Sequence, residues 1–68
     1  MTHIYIYIFT LCYIRGGTLL EESNIRIPAS GYNEALAQAR EEFMNRHRKE
    51  LPEDLEKEAI DVKYWDFD

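Results

Sequence analysis

From Ile4 to Phe9 the chain alternates isoleucine with aromatic residues within an expected first strand from His3 to about Ile14, and Gly16-Gly17 follows almost at once. β-branched and aromatic residues in strict alternation are strand chemistry, and successive side chains on a strand point to opposite faces. One face therefore carries Ile4, Ile6, Ile8, Thr10, Cys12 and Ile14; the other carries Tyr5, Tyr7, Phe9, Leu11 and Tyr13. Paired glycines reach positive φ without steric cost and suit a two-residue hairpin turn. A second strand is expected from about Thr18 to Ile27, stopped by Pro28.

The turn proposes a register. If Arg15 faces Thr18, Ile14 meets Leu19, Ile8 meets Ile25 and Ile6 meets Ile27. On the opposite face Tyr13 meets Leu20, Phe9 meets Asn24 and Tyr7 meets Arg26. Aliphatic side chains then meet aliphatic ones, which marks the isoleucine face as the buried one. The fit fails where Cys12 meets Glu21 and Thr10 meets Ser23, so that end projects beyond the core or a bulge intervenes.

A helix follows, with Ser30 as its expected N-cap. Tyr32, Ala35, Leu36, Ala39 and Phe43 share one helical face, continued by Met44 and His47. Arg40, Arg46, His47, Arg48 and Lys49 form the one basic cluster, read as a solvated helix end that complements the dipole. Pro52 to Glu58 offers a short second helical turn. Ile60, Val62 and Tyr64 alternate as a last strand, with Trp65 and Phe67 out of phase. The order is ββαβ, an α+β fold. A right-handed crossover gives a three-stranded sheet in order 2-1-3, with the helix on one face. Residues 1–68 make one small domain with a thin core, since a chain of this size buries only about 60% of its unfolded surface.

Charge is unevenly spread. In residues 50–68 only Lys57 and Lys63 oppose Glu50, Glu53, Asp54, Glu56, Glu58, Asp61, Asp66 and Asp68, and the whole chain's net charge is −5. An acidic end of this kind repels nucleic-acid phosphates and attracts a basic protein surface. The apolar Ile4–Ile14 run has no preceding Lys or Arg and no small-residue cleavage site, and it is too short for a membrane helix. It reads as part of a mature cytoplasmic protein, with no membrane contact.

The single cysteine, Cys12, suits a reducing compartment and reads as a packing residue. His3, His47 and Cys12 match no metal-ligand spacing, and Gly16-Gly17 leads into a strand rather than a phosphate-binding helix. No cofactor, metal or catalytic constellation is indicated, so the chain reads as a non-enzyme. With the isoleucine face under the helix, Tyr5, Tyr7, Phe9 and Tyr13 would form an open aromatic surface suited to a partner or a homodimer. Stacking of single-stranded bases is the competing use, opposed by the shortage of cations nearby. A third reading has Trp65 and Phe67 folding over the face as a cover. The candidate partner-binding residues are therefore Tyr5, Tyr7, Phe9, Tyr13, Glu53, Asp54, Glu56, Glu58, Asp61, Asp66 and Asp68.

The strand–Gly-Gly–strand pattern followed by Glu34-Ala35-Leu36-Ala37-Gln38-Ala39-Arg40-Glu41-Glu42 resembles HicB-type antitoxins. That family pairs a strand hairpin with an E-A-L-x-x-A helix. The likeness covers residues 4–43, with Ile27-Pro28-Ala29-Ser30 where the family has P-D-L-P-G. In size, acidity and ββαβ order the chain also resembles the small phage proteins that act as anti-CRISPR inhibitors. Both resemblances imply a non-catalytic inhibitor or toxin partner that occupies the working surface of a nucleic-acid-handling protein, such as a CRISPR effector complex.

Overall fold

The computed structural model describes residues 3–68. Strand β1 (Tyr5–Arg15) is central, flanked by β2 (Thr18–Ala29) and β3 (Asp61–Phe67), and both pairings are antiparallel. Helix α1 (Tyr32–Arg46) connects to β3 through a loop and one 3-10 turn, Lys57–Ala59. The strand order and the single main helix are those the sequence predicts. Gly16 and Gly17 have φ of 54° and 84°, the pair of positive values that a type I′ hairpin turn requires.

The buried face is the other one. Tyr7, Phe9, Leu11 and Tyr13 lie in the core with Ile25, Ile27, Ala29, Ala35, Ala39, Phe43, Leu51 and Ile60. Ile14 is exposed, and Ile6 and Ile8 are only half-buried. The expectation that Ile4, Ile6 and Ile8 of β1 sit under the helix is corrected, while Ile25 and Ile27 of β2 are buried as expected. So is the expectation that Tyr5, Tyr7, Phe9 and Tyr13 form an open surface.

The cause is a bulge. From Arg15↔Thr18 to Leu11↔Glu22 the register is the predicted one, but Phe9 then faces Ile25 instead of Asn24. One extra residue on β2 is taken up at Ser23-Asn24, where Asn24 has φ of 61°. A shift of one residue sends every later side chain of the strand to the opposite face. Ile25 and Ile27 thereby join Phe9 and Tyr7 instead of Ile8 and Ile6. β3 does the same at the same level, because Leu11 faces Val62 while Thr10 faces Tyr64. That shift, taken up at Lys63, puts Trp65 beside Phe9 and Phe67 beside Tyr7. They are members of the sheet and not an extra layer over it.

Two smaller points differ from the sequence reading. Pro28 lies within β2 instead of ending it. Ile6 directs both its N–H and its C=O to Asp68 on the β3 side, so the Ile6/Pro28 pair is not hydrogen-bonded. The proline nitrogen faces the free edge, where no donor is missed. The N-cap is Gly31, whose carbonyl accepts the first helical bond from the Ala35 N–H at 3.0 Å. Ser30 Oγ donates to Glu34 Oε2 at 2.9 Å instead of capping.

Ala35, Ala39 and Phe43 bury the helix face against β2 and β1. The connector then covers the hairpin half of the sheet through Leu51, Leu55, Ala59 and Ile60. Arg40 clasps its end, with Nε donating to the Ile60 carbonyl at 3.0 Å.

The bulge predicts a graded response at Asn24, read by urea unfolding. Asn24→Gly should leave stability unchanged or slightly raised, since glycine adopts positive φ freely. Asn24→Val should cost about 1–2 kcal/mol. Deleting Asn24 should abolish cooperative unfolding, because Ile25 and Ile27 would turn out of the core.

Candidate functional site

The connector and β3 hold the acidic residues. Lys57 Nζ pairs with Glu41 Oε2 and Lys63 Nζ with Glu21 Oε1, each at 2.8 Å. Both cations of the acidic segment are thus engaged with carboxylates outside it. Among the described residues, none of Glu50, Glu53, Asp54, Glu56, Glu58, Asp61, Asp66 and Asp68 joins an ion pair. All eight are exposed. Their field is therefore directed outward and uncancelled by internal pairing.

Asp54, Glu56 and Glu58 line an open hollow of about 480 Å³ with Tyr13, Arg15, Pro52, Leu55 and Ala59. Its lining is mainly polar, with Arg15 standing beside the three carboxylates. Asp66 folds back on its own strand, where Oδ1 accepts the Phe67 N–H at 2.8 Å.

The aromatic candidates separate. Tyr7, Phe9 and Tyr13 are buried core residues, so the partner contact expected of them has no exposed surface to act through; Tyr5 is half-buried at the margin. The exposed aromatics on the helix side of the sheet, Trp65 and Phe67, are ones the sequence reading assigned to a covering role. Helix α1 lies over β2 and β1, leaving Trp65 at 42% and Phe67 at 51% exposure on the same side of the sheet. Trp65 rests against Tyr32 with ring centroids 4.7 Å apart, and Phe67 meets Tyr5 edge-on at 5.3 Å. These contacts hold the rings in place while one side of each stays open. The signal was their phase: Trp65 and Phe67 alternate with Asp66 and Asp68, and a one-residue bulge aligns them with Tyr7 and Phe9.

Six residues separate Tyr7 from Tyr13 along β1, or about 20 Å at about 3.3 Å per residue. The aromatic shelf and the acidic hollow therefore lie on one side of the molecule, near opposite ends of the sheet. Nothing in either arrangement supplies a nucleophile with an activating base. Among the described residues no group of His, Cys, Asp and Glu could hold a metal ion, and no helix is long and apolar enough to cross a membrane.

Cys12 lies on the other face, opposite Glu21 on β2 and Asp61 on β3. The Lys63–Glu21 pair spans β1 at this level. Burial pushes the thiol's pKa up, Asp61 and Glu21 add to that, and Lys63 opposes it. Reaction with Ellman's reagent at pH 8 should accordingly be at least about tenfold slower in the native protein than in urea.

At the helix C-terminus Arg46 Nη1 donates to Glu22 Oε2 at 2.8 Å, and Nη2 donates to Glu42 Oε1. The hydrogen bond from Arg46 holds the Glu22 carboxyl below the usual carboxylate range. A carboxyl depressed in the folded state contributes stability above its unfolded pKa and loses it as pH falls through the folded one. Glu22→Gln should flatten the fall of stability below about pH 4.5, by about 1 kcal/mol or less because Arg46 is half-exposed. Comparison with protein-family models, with curated proteins and with solved structures finds no match for this chain.

Proposed function

We propose that the protein is a non-catalytic inhibitor that binds a basic surface on a nucleic-acid-handling protein and blocks it. One observation carries this reading: among the described residues, eight exposed carboxylates in residues 50–68 have no ion-pair partner, while both lysines of that segment are paired elsewhere. Glu53, Asp54, Glu56 and Glu58 steer the approach from the connector. Asp61, Asp66 and Asp68 extend the field along β3.

Electrostatic fields set association rates, whereas well-packed aromatic anchors set lifetimes. Trp65 and Phe67 supply such anchors on the same side as the acidic hollow. A CRISPR effector complex, or the toxin partner of an antitoxin, presents a basic surface of the required kind. Direct nucleic-acid binding through the aromatic shelf is disfavoured, because Asp66 and Asp68 flank the rings and would repel phosphates.

The test is capture from a nuclease-treated bacterial lysate, followed by kinetics with the captured basic protein. Replacing Glu53, Asp54, Glu56 and Glu58 together by lysine should slow association about tenfold and reduce its salt dependence. Trp65→Ala should instead accelerate dissociation, costing about 2 kcal/mol of affinity. Tight gel shifts with single- or double-stranded oligonucleotides at physiological salt would overturn the reading, as would unchanged association after the quadruple reversal.

A further inference from the structure

The hollow between the end of β1 and the connector contains a polar group that the fold leaves unused. Tyr13 is packed into the core at 5% exposure and lines this hollow. Among the described residues no hydrogen bond engages its hydroxyl. The one buried side-chain nitrogen or oxygen left without a partner among them is His47 Nε2. The Tyr13 hydroxyl is therefore not sealed in the core, and it opens into the hollow its ring helps to line. A phenol buried along its ring and free at its tip can both accept and donate there.

The charged groups of the lining are also unused. Asp54, Glu56 and Glu58 accept no hydrogen bond and join no ion pair among the described residues. Glu56 stands at the N-cap of the 3-10 turn without capping it through its side chain. Arg15 follows Tyr13 on the same face of β1 and borders the same hollow, yet it pairs with none of the three. Three carboxylates against one guanidinium leave the lining two charges negative. Its ligand is a cation.

We propose that the hollow binds the alkylammonium end of a lysine side chain presented by the basic partner. The Tyr13 hydroxyl and the carboxylates accept from the ammonium's three N–H donors, while Pro52 and Leu55 take the methylene stem. A guanidinium already stands at this lining, in Arg15, and forms no pair there. An ammonium is a compact charge with rotatable donors and needs no planar fork geometry. The inference rests on the proposed function for its partner and deepens it: the acidic segment steers, and the hollow seats one of the steered side chains.

The site can be tested without the partner, on the intact chain, by heteronuclear NMR at low ionic strength. The probe is Nα-acetyl-lysine methylamide. The Leu55 and Ala59 amides and the Tyr13 ring should shift and saturate, at low millimolar concentration for so small a ligand. The norleucine analogue, which keeps the stem and lacks the charge, should leave them unmoved. Tyr13→Phe keeps the ring and should weaken binding about threefold to tenfold. The exposed pair E56Q/E58Q should weaken it about tenfold, and Arg15→Gln should strengthen it.

Shifts that never saturate, or that sodium chloride reproduces at equal ionic strength, would overturn the proposal. So would an affinity indifferent to both Tyr13→Phe and E56Q/E58Q. Weakening by Arg15→Gln would mark an anionic ligand instead, tighter binding of the arginine analogue would mark a guanidinium, and a preference for spermidine of about 100-fold would mark a free polyamine. The two readings fail separately. If lysate capture yields no basic protein while the probe saturates, the inhibitor reading falls and the cation site stands; capture with no probe binding removes the site alone.

Discussion

The whole architecture depends on a register shift on each side of Thr10. β1 is apolar on both faces, so its own sequence does not decide which one is buried. The flanking strands decide it. With one extra residue at Ser23-Asn24, β2 delivers Ile25, Ile27 and Ala29 to the side of Phe9 and Tyr7. With one extra residue at Lys63, β3 delivers Trp65 and Phe67 to that side as well. β2 and β1 then present apolar side chains to α1 at one end of the sheet, and the connector covers the other end. The strain of a single left-handed residue, Asn24, is small beside the burial this gains: each fully buried large side chain contributes about 1.5–3 kcal/mol, and Phe9, Leu11, Ile25, Phe43 and Ile60 are all fully buried. Asparagine also tolerates that conformation better than most residues.

From this arrangement follows the division of the surface. The helix sits over β2 and β1, so the β3 margin keeps its aromatic rings partly open. The connector crosses the hairpin half and is tied down by Arg40 at the Ile60 carbonyl and by Lys57 at Glu41. Those ties use cations without neutralising the segment's own acids. A chain of net charge −5 thereby keeps the connector's carboxylates unpaired on the helix side, while Asp61, Asp66 and Asp68 of the last strand's register share the aliphatic side with Arg26 and the Glu21–Lys63 pair.

The hairpin, the helix, the last strand and their order were legible because each rests on local chemistry. Gly16-Gly17 announces the turn, and the run from Glu34 to Glu42 is made of strong helix formers. The register held from the turn as far as Leu11. The buried face was not legible from pairing alone, because matching aliphatic with aliphatic assumes an unbroken register. The interruption left traces: Glu21-Glu22-Ser23-Asn24 breaks the alternation of β2, and Trp65 and Phe67 fall out of phase with Val62. Both traces point to a one-residue shift, and both shifts occur opposite the same residue of β1. The acidic surface was readable as composition, but the absence of internal pairing needed the positions of Glu21 and Glu41.

The choice of buried face is the claim on which the core, the acidic side and the open aliphatic side all rest. Nuclear Overhauser contacts from the Phe43 ring measure it most directly. The account predicts contacts to Phe9 and to the Ile25 methyls, with none to Ile6 or Ile8. Strong contacts from Phe43 to Ile6 and Ile8, with Phe9 silent, would contradict it.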